Sequence, residues 1–232
     1  IGGGTPTSLL DSEFEKLLQA VTSSFLTEKT REFSVEAGRP DTITEAKLAL
    51  IRKYGAGRIS INPQSMKQHT LDLIGRSHTP EEILQAFGLA KQAGIPIINA
   101  DLITGLPEEE PEDFKNTLNQ VIALGPENIT VHTLAVKKGS RLIESDEEYN
   151  YKHGQVVAQM LSYAEAACTK AGDKPYYLYR QKHMAGNFEN VGWCKNGTPS
   201  IYNIRIMEDD QTISGMGAGA MTKVFYPNEN RL

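Results

Sequence analysis

The amino-acid sequence predicts an α/β protein, with a partial (β/α) barrel over residues 1–145 and a helix plus a small α+β extension over residues 146–232. Apolar segments of strand length alternate with amphipathic helical segments through the first 135 residues, which is typical of parallel strands joined by crossover helices. A polar residue also closes each predicted strand, and these residues lie 28 to 37 positions apart, about one βα unit. They are Thr5, Glu36, Gln64, Asp101 and Thr133.

The helices of the predicted barrel carry start and stop signals. Ser12-Glu13-Phe14-Glu15 matches a capping box and predicts the start of the first helix. Thr42-Ile43-Thr44-Glu45 caps a second helix, which Gly55 ends. Thr79-Pro80-Glu81-Glu82 begins a third, which Gly94 ends. A further helix is predicted over 112–124, and the strands are predicted over 31–36, 58–61, 95–102 and 129–134.

The pattern changes after residue 146. Residues 146–171 have the composition of one long helix. Short strands are then predicted over 176–181, 200–207 and 212–215. Because no stretch rich in Pro, Gly or Ser separates the two parts, the extension is not expected to be an independent domain.

Composition limits the classes of function. A net charge of −5 and a pI near 5.6 argue against binding to nucleic acid or to an acidic membrane. No run approaches the roughly 20 apolar residues that span a bilayer. Cys168 and Cys194 form no disulfide framework and no CxxC pair, which indicates buried thiols in a reducing cytoplasm. The histidines His69, His78 and His183 lack metal-ligand spacing, so no histidine metal site is predicted.

Three consecutive glycines, Gly2 to Gly4, leave the backbone open to a ligand. Taken alone, a glycine run is more often an ordinary turn. In a βα barrel, however, the carboxyl ends of all strands share one face, so the five polar strand-end residues are expected at one mouth. The open alternative is that Glu36 and Asp101 only cap helices or make structural hydrogen bonds.

Several segments, in order along the chain, are typical of one enzyme family. They are 2–7 (GGGTPT), 35–40 (VEAGRP), 58–65 (RISINPQS), 74–76 (IGR) with 78–79 (HT), 101–107 (DLITGLP), 177–182 (YLYRQK) with 184–187 (MAGN), and 215–220 (GMGAGA). On these segments the chain resembles the oxygen-independent coproporphyrinogen III oxidases, a group of radical S-adenosylmethionine (SAM) enzymes, and especially their Z-type branch, the coproporphyrinogen dehydrogenases. The resemblance implies a barrel of the radical SAM type and a cytoplasmic enzyme of haem biosynthesis.

The resemblance also implies SAM and a [4Fe-4S] cluster as cofactors. The family holds its cluster with a CxxxCxxC loop, which is absent here and is expected upstream of Ile1, in a part of the protein missing from this chain. The chain as given is therefore expected to lack the cluster and to be inactive.

The family's SAM contacts carry over to strand-end positions of this chain. The resemblance places Gly3, Gly4 and Thr5 at the methionyl group, Glu36 and Gln64 at the polar ends, Arg76 at the carboxylate, and Asp101 at the ribose or a second cofactor molecule. Thr133 and Met221 are further candidates. For Arg76 the open alternative is a surface ion pair with Asp72, four residues earlier on a helix.

The reaction that the resemblance implies is decarboxylation of coproporphyrinogen III propionates to vinyl groups, with flavodoxin or ferredoxin as electron donor. Aromatic and basic residues alternate at Tyr179, Arg180 and Lys182, which are candidate substrate contacts, and Lys137, Lys138 and Arg141 add cations nearby in sequence. Haem-binding chaperones and haem-modifying proteins of the same family are open alternatives. A third is an unrelated βα-barrel enzyme that binds a phosphate on its glycine loop.

Overall fold

A computed structural model of the chain describes residues 1–135, 154–180 and 188–226. These residues form one open sheet of six strands in the order β1-β2-β3-β4-β6-β5. The first four strands are parallel, β6 is antiparallel to β4, and β5 is antiparallel to β6. The strands are β1 (Ser34–Glu36), β2 (Arg58–Gln64), β3 (Ile97–Thr104), β4 (Asn128–Thr133), β5 (Lys174–Tyr179) and β6 (Asn190–Cys194). The predicted α/β class is confirmed.

Seven α-helices lie in the described part of the chain. They are α1 (Asp11–Phe25), α2 (Glu45–Lys53), α3 (Gln68–Leu73), α4 (Pro80–Gln92), α5 (Pro111–Leu124), α6 (Gly154–Lys170) and α7 (Ile201–Glu208). Two short 3₁₀ turns cover Pro6–Ser8 and Pro40–Thr42. No described helix combines the length and the apolar composition that crossing a membrane requires.

Local capping explains where the helices begin. The predicted box at α4 forms, because Thr79 N donates to Glu82 Oε2 at 2.8 Å and Glu82 N donates to Thr79 Oγ1 at 3.2 Å. The box predicted from Ser12 is wrong. Helix α1 is capped at Leu10, whose N–H donates to Glu13 Oε2 at 3.3 Å, so Ser12 already lies inside the first turn.

The extension differs from its prediction in two segments. Residues 200–207, predicted as a strand, form helix α7, because Ser200 Oγ accepts from Asn203 N and caps the helix. Residues 212–215 contribute only an isolated bridge between Ile213 and Lys223. Strand β6 was not predicted, and it joins β5 to the barrel sheet. The predicted domain boundary at 145/146 lies outside the described residues and stays a prediction.

Side chains alternate between the two faces of the sheet. Buried apolar residues of one face pack with the helices, among them Val35, Ile59, Ala100 and Val131. Helices α1, α4 and α5 contribute the largest buried side chains to this core, namely Phe14, Phe87 and Phe114. The residues between them in the strands face a cavity on the other side, including Glu36, Ser60, Asp101 and His132.

A buried arginine ties helix α7 to the sheet. Arg58 donates to Asn128 Oδ1, and its Nη2 donates to the Thr198 carbonyl at 2.9 Å. Its Nε lies 3.8 Å from Glu32 Oε1. Glu32 in turn accepts hydrogen bonds from Ser200 Oγ at 3.0 Å and from Ile201 N at 2.7 Å. The first turn of α7 is therefore fixed beside the sheet.

Candidate functional site

A cavity of about 790 Å³ lies over the sheet face that does not carry the main core. Strands β1 to β5, the first three residues, helix α7 and the segment 213–221 all contribute to its lining. Polar side chains from the strands converge on it, namely Glu36, Ser60, Asn99, Asp101, Thr130 and His132. The lining residues of β2, Arg58 and Ser60, lie in its first half, and Asp101 lies three residues before the end of β3, so the cavity covers the face of the sheet and not only the carboxyl ends of the strands.

The glycine run packs directly against Glu36. Gly3 N donates to Glu36 Oε2 at 3.3 Å. A Cβ on Gly2 would lie 2.7 Å from that oxygen, so a side chain at this position would displace the Glu36 carboxylate. Ile1 holds the run in place, because its amino group donates to Ser34 O at 2.6 Å and its carbonyl accepts from Glu36 N at 2.9 Å.

Two carboxylates share the cavity and affect each other. Burial raises the pKa of Glu36, the Gly3 hydrogen bond opposes this shift, and the charge of Asp101 adds to it. Burial alone would also raise the pKa of Asp101, but the neighbouring His132 imidazole and the hydrogen bond from Asn99 outweigh burial and hold that pKa below its ordinary value. This end of the cavity is therefore anionic and suited to a cationic or hydroxyl-bearing ligand.

Asp101 belongs to a polar network that crosses the sheet. Asn99 Nδ2 donates to Asp101 Oδ1 at 2.7 Å, and His132 Nε2 lies 3.7 Å from the same oxygen. The other imidazole nitrogen, Nδ1, is 3.0 Å from the Tyr179 hydroxyl. Because a phenol donates readily, this geometry favours the tautomer with the proton on Nε2, facing Asp101. The carboxylate, imidazole and phenol thus form one chain along the cavity wall.

Arg76 does not line the cavity, but its charge interacts with that of Asp101, one of the two cavity carboxylates. Burial and the neighbouring Arg39 lower the pKa of its guanidinium, whereas Asp41 and Asp101 raise it. Among the described residues Arg76 forms no salt bridge within 4.0 Å, and Asp72 instead accepts a hydrogen bond from Gln68 Nε2 at 2.7 Å. Arg76 therefore does not form the surface ion pair with Asp72 that the sequence left open.

Gln64 lies outside the cavity lining but has two unusual properties. Its backbone has φ 66°, in the left-handed region, and it follows an irregularity in the β2–β3 pairing. Its side chain is 5% exposed, and Oε1 has no hydrogen-bond partner. A strained backbone carrying an unpaired buried acceptor is a feature found at ligand-binding positions.

The structure brings together some predicted site residues and separates others. Gly3, Glu36, Asp101, Tyr179 and Met221 line the cavity, whereas Gly4, Thr5, Gln64, Arg76, Thr133 and Arg180 do not. Thr133 lies buried on the opposite face from His132, since adjacent strand residues alternate. Arg180 is exposed and pairs with Glu189 at 3.2 Å. Lys182, Lys137, Lys138 and Arg141 lie outside the described residues.

Sequence reasoning missed His132 as a residue of the cavity. For His132 a signal existed, because Thr130 and His132 share one parity in β4 and both are polar. Tyr177 lies in a segment singled out for its aromatic residues, and it lines the cavity.

The two cysteines do not fit a [4Fe-4S] cluster, which is held by several Cys thiolates. Cys168 is fully buried in α6, and burial raises the pKa of its thiol to about 12. Burial likewise raises the pKa of Cys194 on β6. In the part of the chain that the structure describes, no three His, Cys, Asp or Glu side chains cluster closely enough to hold a metal ion.

Comparison with known proteins gives a consistent family relationship. The sequence profile of the Radical SAM superfamily matches residues 1–121. The chain is 49% identical, over 96% of its length, to the oxygen-independent coproporphyrinogen-III oxidase-like protein HemZ of Bacillus subtilis, and covers 44% of that protein. It is 29% identical over 98% of its length to the heme chaperone HemW of Escherichia coli, covering 56% of it. The chain thus spans about half the length of these curated relatives.

Solved structures show the same fold. The coproporphyrinogen III oxidase HemN of Escherichia coli, a radical SAM enzyme, superposes with a TM-score of 0.72 at 22% identity, covering 96% of this chain and 51% of that one. The archaeal Elp3 of Methanocaldococcus infernus superposes with a TM-score of 0.58 at 19% identity, covering 72% of this chain and 44% of that one. The predicted partial barrel of the radical SAM type is thereby confirmed.

Proposed function

Because the chain belongs to the radical SAM superfamily, we propose that its cavity binds SAM beside a tetrapyrrole, and that the whole protein decarboxylates coproporphyrinogen III propionates to vinyl groups. The observation that carries the proposal is the meeting of Glu36, Asp101 and the glycine backbone in one cavity. The 49% identity to HemZ supports the tetrapyrrole class.

The described residues fit SAM. Glu36 presents a carboxylate to an ammonium group, and Gly2 and Gly3 let the ligand approach the backbone. Asp101, held ionised by its network, accepts hydrogen bonds from ribose hydroxyls. Arg76 forms no salt bridge with a described residue and offers a two-pronged donor to the methionyl carboxylate. When bound and reductively cleaved, SAM supplies a 5′-deoxyadenosyl radical that abstracts hydrogen from the substrate.

The two thiols of this chain do not fit the iron–sulfur cluster. Under the proposal the cluster ligands and the contact with flavodoxin or ferredoxin come from outside these 232 residues. Anaerobic reconstitution of this chain with iron and sulfide should then give no stoichiometric cluster spectrum. A stoichiometric cluster in this chain would overturn that part of the proposal.

Calorimetric titration of this chain with SAM tests the cofactor site. Glu36→Gln and Asp101→Asn should each weaken binding about tenfold or more, since hydrogen bonds to charged groups contribute about 1.5–3 kcal/mol. Glu81→Gln, on the exposed surface of α4, is the matched control and should leave the affinity unchanged. Unchanged affinity in both cavity variants would remove SAM from this cavity.

The reaction is tested in a longer chain that carries the cluster ligands. Reduced protein is incubated with SAM and coproporphyrinogen III without oxygen, and the products are chromatographed after oxidation. Protoporphyrin and 5′-deoxyadenosine are expected together. Formation of 5′-deoxyadenosine without protoporphyrin would retain the radical chemistry and refute the substrate.

A second candidate function is the carriage of haem. In the described lining, Arg58 is the only Lys or Arg side chain, and it is engaged by Asn128, Thr198 and Glu32. Two haem propionates place a smaller demand on such a lining than the four propionates of coproporphyrinogen III. Tight haem binding, with no turnover of the porphyrinogen by the longer chain, would favour this candidate.

A further inference from the structure

Two tyrosines of β5 with parallel rings line one wall of the cavity. The rings of Tyr177 and Tyr179 lie 6.0 Å apart with 6° between their planes. Both side chains line the cavity. We call this pair the aromatic floor.

Gly192 of β6 makes the aromatic floor possible. A Cβ at this position would lie 1.9 Å from Tyr177 Cε1 and 2.3 Å from Tyr177 Cδ1. The Tyr177 ring therefore rests directly on the backbone of β6, in the space that a side chain would occupy. Only glycine leaves room for a ring laid across the strand in this way.

A hydrogen bond to β4 holds one of the two rings across β6. The Tyr179 hydroxyl meets His132 Nδ1 at 3.0 Å. Because β6 lies between β5 and β4 in the sheet, this ring must span β6 to reach its partner. The Tyr179 end of the floor is therefore fixed.

Exposed thioethers line the same cavity. Met216 is 64% exposed and Met221 is 87% exposed, although both are large and apolar. Met207, at the end of α7, is 40% exposed and also lines it. Exposed apolar side chains around a cavity indicate a ligand that covers them, and methionine adapts to ligand shape. Together with the aromatic floor, they favour a broad apolar ligand.

We propose that the aromatic floor stacks against the planar ring of an oxidised tetrapyrrole and discriminates it from the reduced porphyrinogen. The inference rests on the tetrapyrrole class of the proposed function. In a porphyrinogen, four saturated bridging carbons interrupt conjugation and tilt the pyrrole rings, so the molecule cannot lie flat on two parallel phenol rings. The oxidised porphyrin is planar and stacks in the offset geometry that aromatic rings prefer.

Coproporphyrin III and coproporphyrinogen III are matched probes, because both carry four propionates and differ in the oxidation state of the ring. Each tetrapyrrole is titrated anaerobically into this chain, and the fluorescence emission of Trp193 is followed. Trp193 is the one tryptophan of the chain and comes directly after Gly192. Stacking on two rings should make the porphyrin bind roughly tenfold more tightly.

Variants of β5 locate the effect. Tyr177→Leu should reduce coproporphyrin III affinity about tenfold, change coproporphyrinogen III affinity less than about threefold, and leave SAM affinity unchanged. Tyr179→Phe keeps the ring and should retain porphyrin affinity, whereas Tyr179→Leu should lose it. Leu178→Ala, on the same strand and 56% exposed, is the control for folding and should behave as wild type.

The outcomes separate the two proposals. If neither tetrapyrrole binds, the substrate class of the proposed function fails, and this inference fails with it. If both bind equally and Tyr177→Leu has no effect, the aromatic floor is refuted while the substrate class survives. If Tyr177→Leu weakens SAM instead, the floor stacks against adenine and the inference is overturned.

Discussion

Replacing Gly192 by alanine tests the packing of the aromatic floor without any ligand. The new methyl group would lie 1.9 Å from Tyr177 Cε1, whereas carbon atoms in contact are about 3.5–4.0 Å apart. The ring must therefore move by about 2 Å or leave β6. Overpacking of this kind costs about 1–3 kcal/mol. For a chain of this size the thermal midpoint should fall by roughly 2–12 °C.

The same substitution made in a Tyr177→Ala background should have the opposite sign. With the ring removed, the nearest remaining atom is Tyr176 Cε1 at 3.0 Å, at the end of a side chain. Alanine in a strand is then favoured over glycine by about 0.5–1 kcal/mol. The double-mutant cycle should accordingly give a coupling free energy of about 1.5–4 kcal/mol.

Urea unfolding followed by Trp193 emission measures all four corners of the cycle. Trp193 is buried, so its emission reports unfolding. The unfolding slope should stay constant, so that midpoint shifts report stability. An equal loss of stability from Gly192→Ala in both backgrounds would refute the contact between the glycine and the ring.

Substitutions at three further positions examine the anionic end of the cavity and one helix cap. Since burial raises the pKa of Glu36, the folded state holds that proton more tightly than the unfolded chain, and this residue's contribution to stability falls as pH rises above the ordinary glutamate value of about 4. Glu36→Gln should therefore unfold at a higher urea concentration than wild type at neutral pH, with the difference closing at acidic pH; a difference independent of pH would contradict this. Arg76→Ala should weaken SAM binding by about 1.5–3 kcal/mol and Arg76→Lys by less, because lysine keeps the charge without the fork; calorimetry showing no change in either variant would refute a contact. Thr79→Ala should lower the free energy of unfolding by about 1 kcal/mol, measured by urea denaturation, since it removes the cap of α4.

The parts of the fold that local signals determine were predictable from the sequence. Thr79 caps α4 as predicted, because a cap depends only on residues three positions apart, whereas α2 is capped at Thr44 and not at Thr42, the first residue of its predicted box. Glu36 and Asp101 share one cavity because both face the same side of the sheet, although Asp101 lies within β3 and does not end it as predicted. The assignment of SAM to these residues stays a prediction.

Features that depend on distant contacts were not predictable. The face of β4 is an exception, because the polar Thr130 shares its parity with His132 and not with Thr133. Helix α7 was predicted as a strand. Its first turn is stabilised by Glu32, which lies 168 positions before Ser200, and local sequence patterns do not show such a contact. The aromatic floor needed β6, whose glycine gave no strand signal.

The alternation of side chains along β1 to β4 has a consequence for how this protein and its relatives diverge. Every second residue contributes to the packed core, and the residues between them face the cavity. Point substitutions on the cavity side therefore alter ligand preference while leaving the packing of the opposite layer intact. A one-residue insertion within a strand would exchange the two sets at once and place carboxylates among the buried phenylalanines. Changes of chemistry on this scaffold are thus expected to accumulate through replacements at constant strand length, with insertions confined to the connecting loops.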